Sequence, residues 1–212
     1  MIGIRVTVPI ACWRKGAARE FLETEELPPP ATAYGMLLSL VGEEDRNRHR
    51  GCRVTTGIFE REGISTVVRT TWRIKDAKSA QGVGENAKPD FQQLMIHSDL
   101  LVLCDSGGEE TQPTLESRVL QAFREPDSVV RFGGLSLGES THLVNDIWLI
   151  ENGATLHATA QVFLTSKDGD LTLPVWVDHV GSAGTRYGVG ALELLSHLPS
   201  ADRLPRIDSA SA

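Results

Sequence analysis

Apolar and polar positions alternate from the first residues. Ile4, Val6, Val8 and Ile10 fall on one side and Arg5 and Thr7 on the other, which predicts a half-buried strand over residues 3–10. The polar stretch 14–30 ends in Pro28-Pro29-Pro30 and reads as a loop. Tyr34, Leu37, Leu38 and Val41 then recur at helical spacing, with Thr32 as N-cap and Gly42 as stop. Two strands are predicted over 53–60 and 65–75, joined tightly by Arg61-Glu62-Gly63. Residues 77–92 carry Gly82, Gly84, Asn86 and Pro89 but almost no large apolar side chain, the composition of a long projecting loop. The unbroken run Leu100-Leu101-Val102-Leu103 predicts a buried central strand over 98–105. Leu115, Val119, Ala122 and Phe123 predict a second helix over about 114–125, capped by Thr114 and stopped by Pro126. Strand signals follow at about 143–150, 155–165 and 171–180, the last two joined as a hairpin by Lys167-Asp168-Gly169-Asp170.

That order predicts an α+β fold: a ferredoxin-like, RRM-type sheet with an inserted loop and a C-terminal β-hairpin element. The core is expected over 1–150, a C-terminal β element with a short helix over 151–198, and a disordered tail over 199–212. With 212 residues, 41% of them apolar, the chain is long enough for one substantial core. No apolar run reaches the ~20 residues of a membrane helix. The first residues alternate where a signal peptide would be continuously apolar, so a cytoplasmic address is expected. Cys12, Cys52 and Cys104 are odd in number and far apart, as reduced core thiols would be.

Charge is distributed unevenly along the chain. The net charge is −7, yet residues 1–100 carry 14 Lys/Arg against 13 Asp/Glu, and 101–212 carry 7 against 15. Within 46–88 the count is 10 basic against 4 acidic, the segment a polyanion would touch. Strand alternation over 67–75 puts Arg69, Thr71, Arg73 and Lys75 on one face. Cations about 6–7 Å apart on a rigid strand match the step of a single-stranded phosphate backbone, and Lys78 and Lys88 extend the row. The other reading is an exposed strand face made basic to block edge pairing. Trp13, beside Arg14 and Lys15, is either a base-stacking platform or a core aromatic.

Gly134-Leu135-Ser136-Leu137-Gly138 has the G-x-S-x-G spelling of a nucleophile elbow, but a strand is predicted after it where the elbow needs a helix. Gly133, Gly134 and Gly138 read better as a loop whose backbone closely approaches a strand or an anionic ligand, with His142 beside it as a candidate RNA contact. Gly82-Val83-Gly84-Glu85-Asn86-Ala87 follows no strand and is broken by Pro89, so it fails as a dinucleotide fingerprint. No H-x-x-x-H or C-x-x-C spacing occurs, so neither a metal nor a cofactor is expected.

The stretch Pro28-Pro29-Pro30-Ala31-Thr32-Ala33-Tyr34-Gly35-Met36-Leu37-Leu38-Ser39-Leu40-Val41-Gly42-Glu43 resembles the PPPSTAYGLLLSLLGE motif of the Cas-five family, subunits of type I CRISPR Cascade complexes. Phe132-Gly133-Gly134-Leu135-Ser136-Leu137-Gly138-Glu139-Ser140-Thr141-His142-Leu143-Val144-Asn145-Asp146 resembles the glycine-rich loop of the same family, especially its DevS-like, Myxococcus-type branch. The two motifs occur in the family's order, and with Arg69–Asp76 the similarity spans most of residues 3–180. The resemblance implies a thumb at about 76–96 and a protein that caps the 5′-handle end of the crRNA. It implies as partners a Cas-seven-family filament subunit, the large subunit, and target DNA near the protospacer-adjacent motif. Arg14, Arg69, Arg73, Lys75, Lys78 and Arg131 would then meet phosphates, with Gly133 and Gly134 admitting the backbone. One branch of the family cleaves precursor crRNA with a Tyr, a Lys and an adjacent His. This chain has no Lys-His dipeptide, so a non-catalytic role is expected, with metal-independent endoribonuclease as the alternative.

Overall fold

Ile2, Ile4, Val6 and Val8 bury one side of β1 (Ile2–Ala11), and that strand organises the sheet. In the computed structural model, residues 1–16, 18, 21–72, 87–150, 155–179 and 183–208 are described. β1 runs antiparallel to β4 (Ala87–Asp105), from Ile2 opposite Cys104 to Ala11 opposite Met95. Its other edge pairs with β5 (Asp146–Ile150). Helices α1 (Pro30–Leu40) and α2 (Leu115–Arg124) contribute Leu37, Leu115 and Val119 to a core that includes Ile4, Val6, Leu100 and Val102. Leu101 and Leu103 enter a second core with Val162, Leu164 and Leu204. The unbroken apolar run at 100–103 is thus buried on both faces of its strand.

Both helix boundaries follow local chemistry. Thr114 caps α2 by accepting the Ser117 N–H at 3.2 Å, as predicted. α1 starts two residues before the predicted Thr32 cap, because Pro30 at its first turn has no N–H to satisfy. Its end is a left-handed turn: Gly42 has φ +65°, with Gly42 N–H donating to Ser39 and Glu43 N–H to Leu38. A Cβ on Gly42 would come within 2.1 Å of the Val130 carbonyl, so segment 129–132 lies close against the helix end.

The tight Arg61–Gly63 connection does not exist. β3 (Arg53–Trp72) is one continuous strand paired with β4 as far as Trp72 opposite Ala87, with one irregularity between Ile58 and Glu60. Gly63 pairs with Ile96 instead of turning, since strand pairing on β4 continues past it. Of the predicted loop over 77–92, residues 87–92 belong to β4, while 73–86, including Arg73, Lys75 and Lys78, lie outside the described residues. The two-residue β2 (Phe21–Leu22) lies parallel to Phe91–Gln92 on this ribbon.

The C-terminal part also departs from expectation. β6 (Ala160–Thr165) and β7 (Leu171–Trp176) are joined by a turn but do not pair with each other. β8 (Arg186–Leu195), in the region where a short helix was expected, lies between them, giving the order β5-β1-β4-β3-β6-β8-β7. β8 pairs with β7 through Arg186–Gly190 and with β6 through Gly190–Leu195, so the helix-forming Ala191-Leu192-Glu193-Leu194-Leu195 are held as strand by their pairing with β6. Gly190 permits the close fit, since a Cβ there would be 2.2 Å from the Leu164 carbonyl. The supposed tail is ordered through Asp208: Leu204 and Ile207 are buried, and Ile207 exchanges backbone hydrogen bonds with Gly51 and Cys52. Two apolar side chains are enough to anchor a segment that its Ser, Pro and Ala content made look frayed. The result is a mixed α/β protein with a mostly antiparallel eight-stranded sheet and few helices, whose three cysteines are free and buried. Among the described residues, no helix is long and apolar enough to cross a membrane.

Candidate nucleic-acid interface

The glycine-rich segment is held at both ends. Leu135 and Leu137 are buried in the helix-side core, Ser136 bridges to Leu143, and Asn145 N–H donates to the Thr7 carbonyl where β5 begins. Ser136 is thus followed by a β-bridge and a strand, and the elbow geometry is absent. Gly138 has φ +127°, and a Cβ on it would stand 3.2 Å from both the Cys12 carbonyl and His142 Nδ1.

Two side chains fasten this loop to the segment that directly follows β1. Trp13 is 1% exposed and its Nε1–H donates to the Leu137 carbonyl at 3.2 Å. His142 is 7% exposed, and its Nδ1 accepts from the backbone N–H groups of Cys12 and Glu139, each at 3.2 Å. Nδ1 therefore carries no proton, and the neutral ring holds its proton on Nε2. Burial holds the His142 pKa below the ordinary 6.5, Glu139 opposing the shift and Arg69 adding to it. Above about pH 6.5 both folded and unfolded states are neutral and the two bonds contribute fully. As pH falls toward the lower native value the unfolded chain takes up the proton first, so stability declines by at most about 1.4 kcal/mol per pH unit. Urea midpoints at pH 7.5 and 5.5 should show this loss. His142→Asn, which keeps an acceptor and removes the titration, should flatten it; an unchanged slope would contradict the assignment.

A polar bridge ties the loop to the β3–β4 ribbon. Arg69 donates from one nitrogen to Gln92 Oε1 and to Glu139 Oε2, the latter at 3.0 Å, and Gln92 Nε2 donates to Glu139 Oε1 at 2.9 Å. Beyond the loop's anchored part, Arg131, Phe132, Gly133 and Gly134 are all exposed. Arg131 and Phe132 flank a cavity of about 430 Å³ whose other wall is Gly35, Leu38, Ser39 and Gly42 of α1 and its end, with Glu43 and Glu44. Gly35 and Ser39 also line an adjoining cavity of about 260 Å³, with Arg46, Ser136, Gly138 and His179. A groove therefore follows the small-residue side of α1 beneath the glycine loop.

CRISPR-associated protein Cas5 from Myxococcus xanthus (strain DK1622) is 59% identical over 211 residues, covering 99% of this chain and 98% of that protein. The chain belongs to the Cas5 family. A chain of a CRISPR RNA-guided surveillance complex shares the fold with a TM-score of 0.58 at 11% identity, over 92% of this chain and 90% of its own. A crystal structure of a Cas protein gives a TM-score of 0.53 at 14% identity over 97% of each. No family model matches the chain.

In this Cas5-family chain the expected contacts separate into those that face outward and those that hold the loop. Trp13 is a core aromatic, so the stacking expectation is corrected: a ring 1% exposed has no face for a base. His142 is likewise committed to backbone amides and positions the loop. Arg14 is exposed but donates from Nε and Nη2 to the Ala18 carbonyl. Arg69 is 45% exposed, with its charge shared with Glu139. Lys88 is half-buried on β4, opposite Thr71. Gly133 has φ +75° and open space around it, whereas a Cβ on Gly134 would meet Leu143 at 2.9 Å.

The basic segment 46–88 is also divided in space. Arg48 pairs with Glu43 at 3.0 Å, Arg50 with Asp208 at 3.5 Å, and Arg46 stacks 4.1 Å from the Trp176 ring, all away from the ribbon. Glu139, Gln92 and Phe132 were not among the sequence candidates. Glu139 lies inside the Gly-Glu-Ser motif, but its partners come from β3 and β4 and are set by tertiary packing.

Proposed function

We propose that this chain is the non-catalytic crRNA-binding subunit of a type I CRISPR Cascade complex, capping the 5′-handle end of the guide. The observation that carries this reading is a loop pinned by Trp13 and His142 that presents exposed Arg131, Gly133 and Gly134 beside a groove and is linked to the cationic ribbon through Arg69. An exposed cation on an anchored loop, beside open glycine backbone, suits a phosphate chain, which needs charge and close approach more than pockets. The order β5-β1-β4-β3, with α1 and α2 in the connections, supports reading that part as ferredoxin-like, and the β3–β4 ribbon supports the thumb. The partners would be a Cas-seven-family filament subunit, the large subunit, and target DNA near the protospacer-adjacent motif.

The non-catalytic part of the proposal is supported by Tyr34. Its hydroxyl donates to the Arg46 carbonyl at 2.8 Å, and burial pushes the phenol pKa well up, so it is poorly placed to take a proton from a 2′-hydroxyl. Labelled repeat RNA incubated with the full chain in EDTA should be bound and remain intact. Affinity for the handle should fall with salt at a log–log slope of about −2 to −3, as three to four phosphate contacts give. Specific cleavage would establish the endoribonuclease alternative, and salt-independent binding would remove the phosphate track.

A further inference from the structure

Phe132 is 100% exposed and Val130 is 90% exposed, with Leu143 at 51% nearby. A single exposed apolar side chain is ordinary. This one is unusual because its backbone is fixed: Val129 packs against the helix-side core, the Val130 carbonyl abuts Gly42, and Leu135 is buried three residues on. The chain holds the ring in water when the cavity it flanks, about 430 Å³, is next to it. Its neighbour Arg131 is exposed, and among the described residues no hydrogen bond or ion pair engages that guanidinium. A protein partner covering a purely apolar patch would not require an adjacent free cation, whereas single-stranded nucleic acid offers a flat ring and a phosphate one backbone step apart.

We propose that Phe132 stacks on an unpaired nucleobase of the bound strand, with Arg131 on an adjoining phosphate and the base lying over the α1 side of the groove. This rests on the RNA-binding reading above and names the base-contacting residue of that site. Gly35 and Gly42 leave the opposite wall low, and Gly133, at φ +75°, turns the chain away directly after the ring. Glu43 is engaged by Arg48 and Arg118. Glu44 on the same wall offers an acceptor suited to the exocyclic amines of a base.

The test uses the full chain and a handle-length RNA with 2-aminopurine placed at each position in turn. Wild type should quench one position strongly. Phe132→Leu should abolish that quenching and weaken binding about 5- to 100-fold while leaving the salt slope unchanged. Phe132→Tyr and Phe132→Trp should retain both, and Arg131→Gln should reduce the salt slope by about 0.7. An abasic site at the quenched position should bind wild type as weakly as Phe132→Leu, with no further loss when the two are combined. The ring is fully exposed, so these variants should unfold at the wild-type urea midpoint. If wild type binds RNA and Phe132→Leu binds equally well, the stacking inference is overturned and the RNA-binding reading stands. Stacking is overturned in the same way if Phe132→Leu loses only assembly with the other subunits, which would place a protein on the ring. If wild type binds no RNA, both fail.

Discussion

Trp13→Ala is expected to lower the unfolding free energy by about 3–5 kcal/mol and to release the glycine loop. The indole is among the largest fully buried side chains, and its removal leaves a cavity between β1 and the loop. It also leaves the Leu137 carbonyl without its 3.2 Å donor. A urea titration should show the midpoint falling with the slope unchanged, since the folded core still buries the same strands. Trp13→Phe, which keeps much of the volume but not the N–H, should lose only about 1–2 kcal/mol. Handle affinity should fall in step with loop release, although Trp13 is too buried to touch RNA. A Trp13→Ala variant of unchanged stability would mean that the loop is held by other contacts.

Arg69→Glu is the second large effect. It places a carboxylate against Glu139, where a 3.0 Å ion pair now closes the ribbon onto the loop. The guanidinium is 45% exposed, so the fold should lose less than about 1 kcal/mol. Handle affinity should fall roughly tenfold or more, through lost charge and a displaced loop. Combining it with Glu139→Arg restores an opposite-charge pair in reverse, so affinity should partly recover in a filter-binding assay. No recovery would assign Arg69 directly to a phosphate and remove its role as a clasp.

The sequence was informative where one element decides its own structure. The alternation that makes β1, the Thr114 cap of α2 and the Gly42 stop of α1 are local, and all three occur as expected. It was misleading where a distant partner decides. Gly63 resembles a turn until nine further residues of β3 find their places on β4, and the short helix expected within 151–198 gives way to β8, whose first half pairs with β7 and second half with β6. The same division runs through the site. The glycine motif, Arg131 and the cation row were visible as residues in order. The roles of Trp13 and His142 were not, because each depends on a backbone group more than a hundred residues away in the chain, the Leu137 carbonyl for Trp13 and the Cys12 amide for His142. Phe132 gave no signal, since exposure of an aromatic ring is a property of the folded surface.

The most direct test is to place photo-crosslinkers at residues 131 and 134 of the full chain, assemble it with guide RNA and its partner subunits, and map the adducts. Handle capping by this chain predicts that both positions crosslink to the handle at the guide's 5′ end. Adducts confined to protein, with the handle reacting at some other subunit, would contradict it.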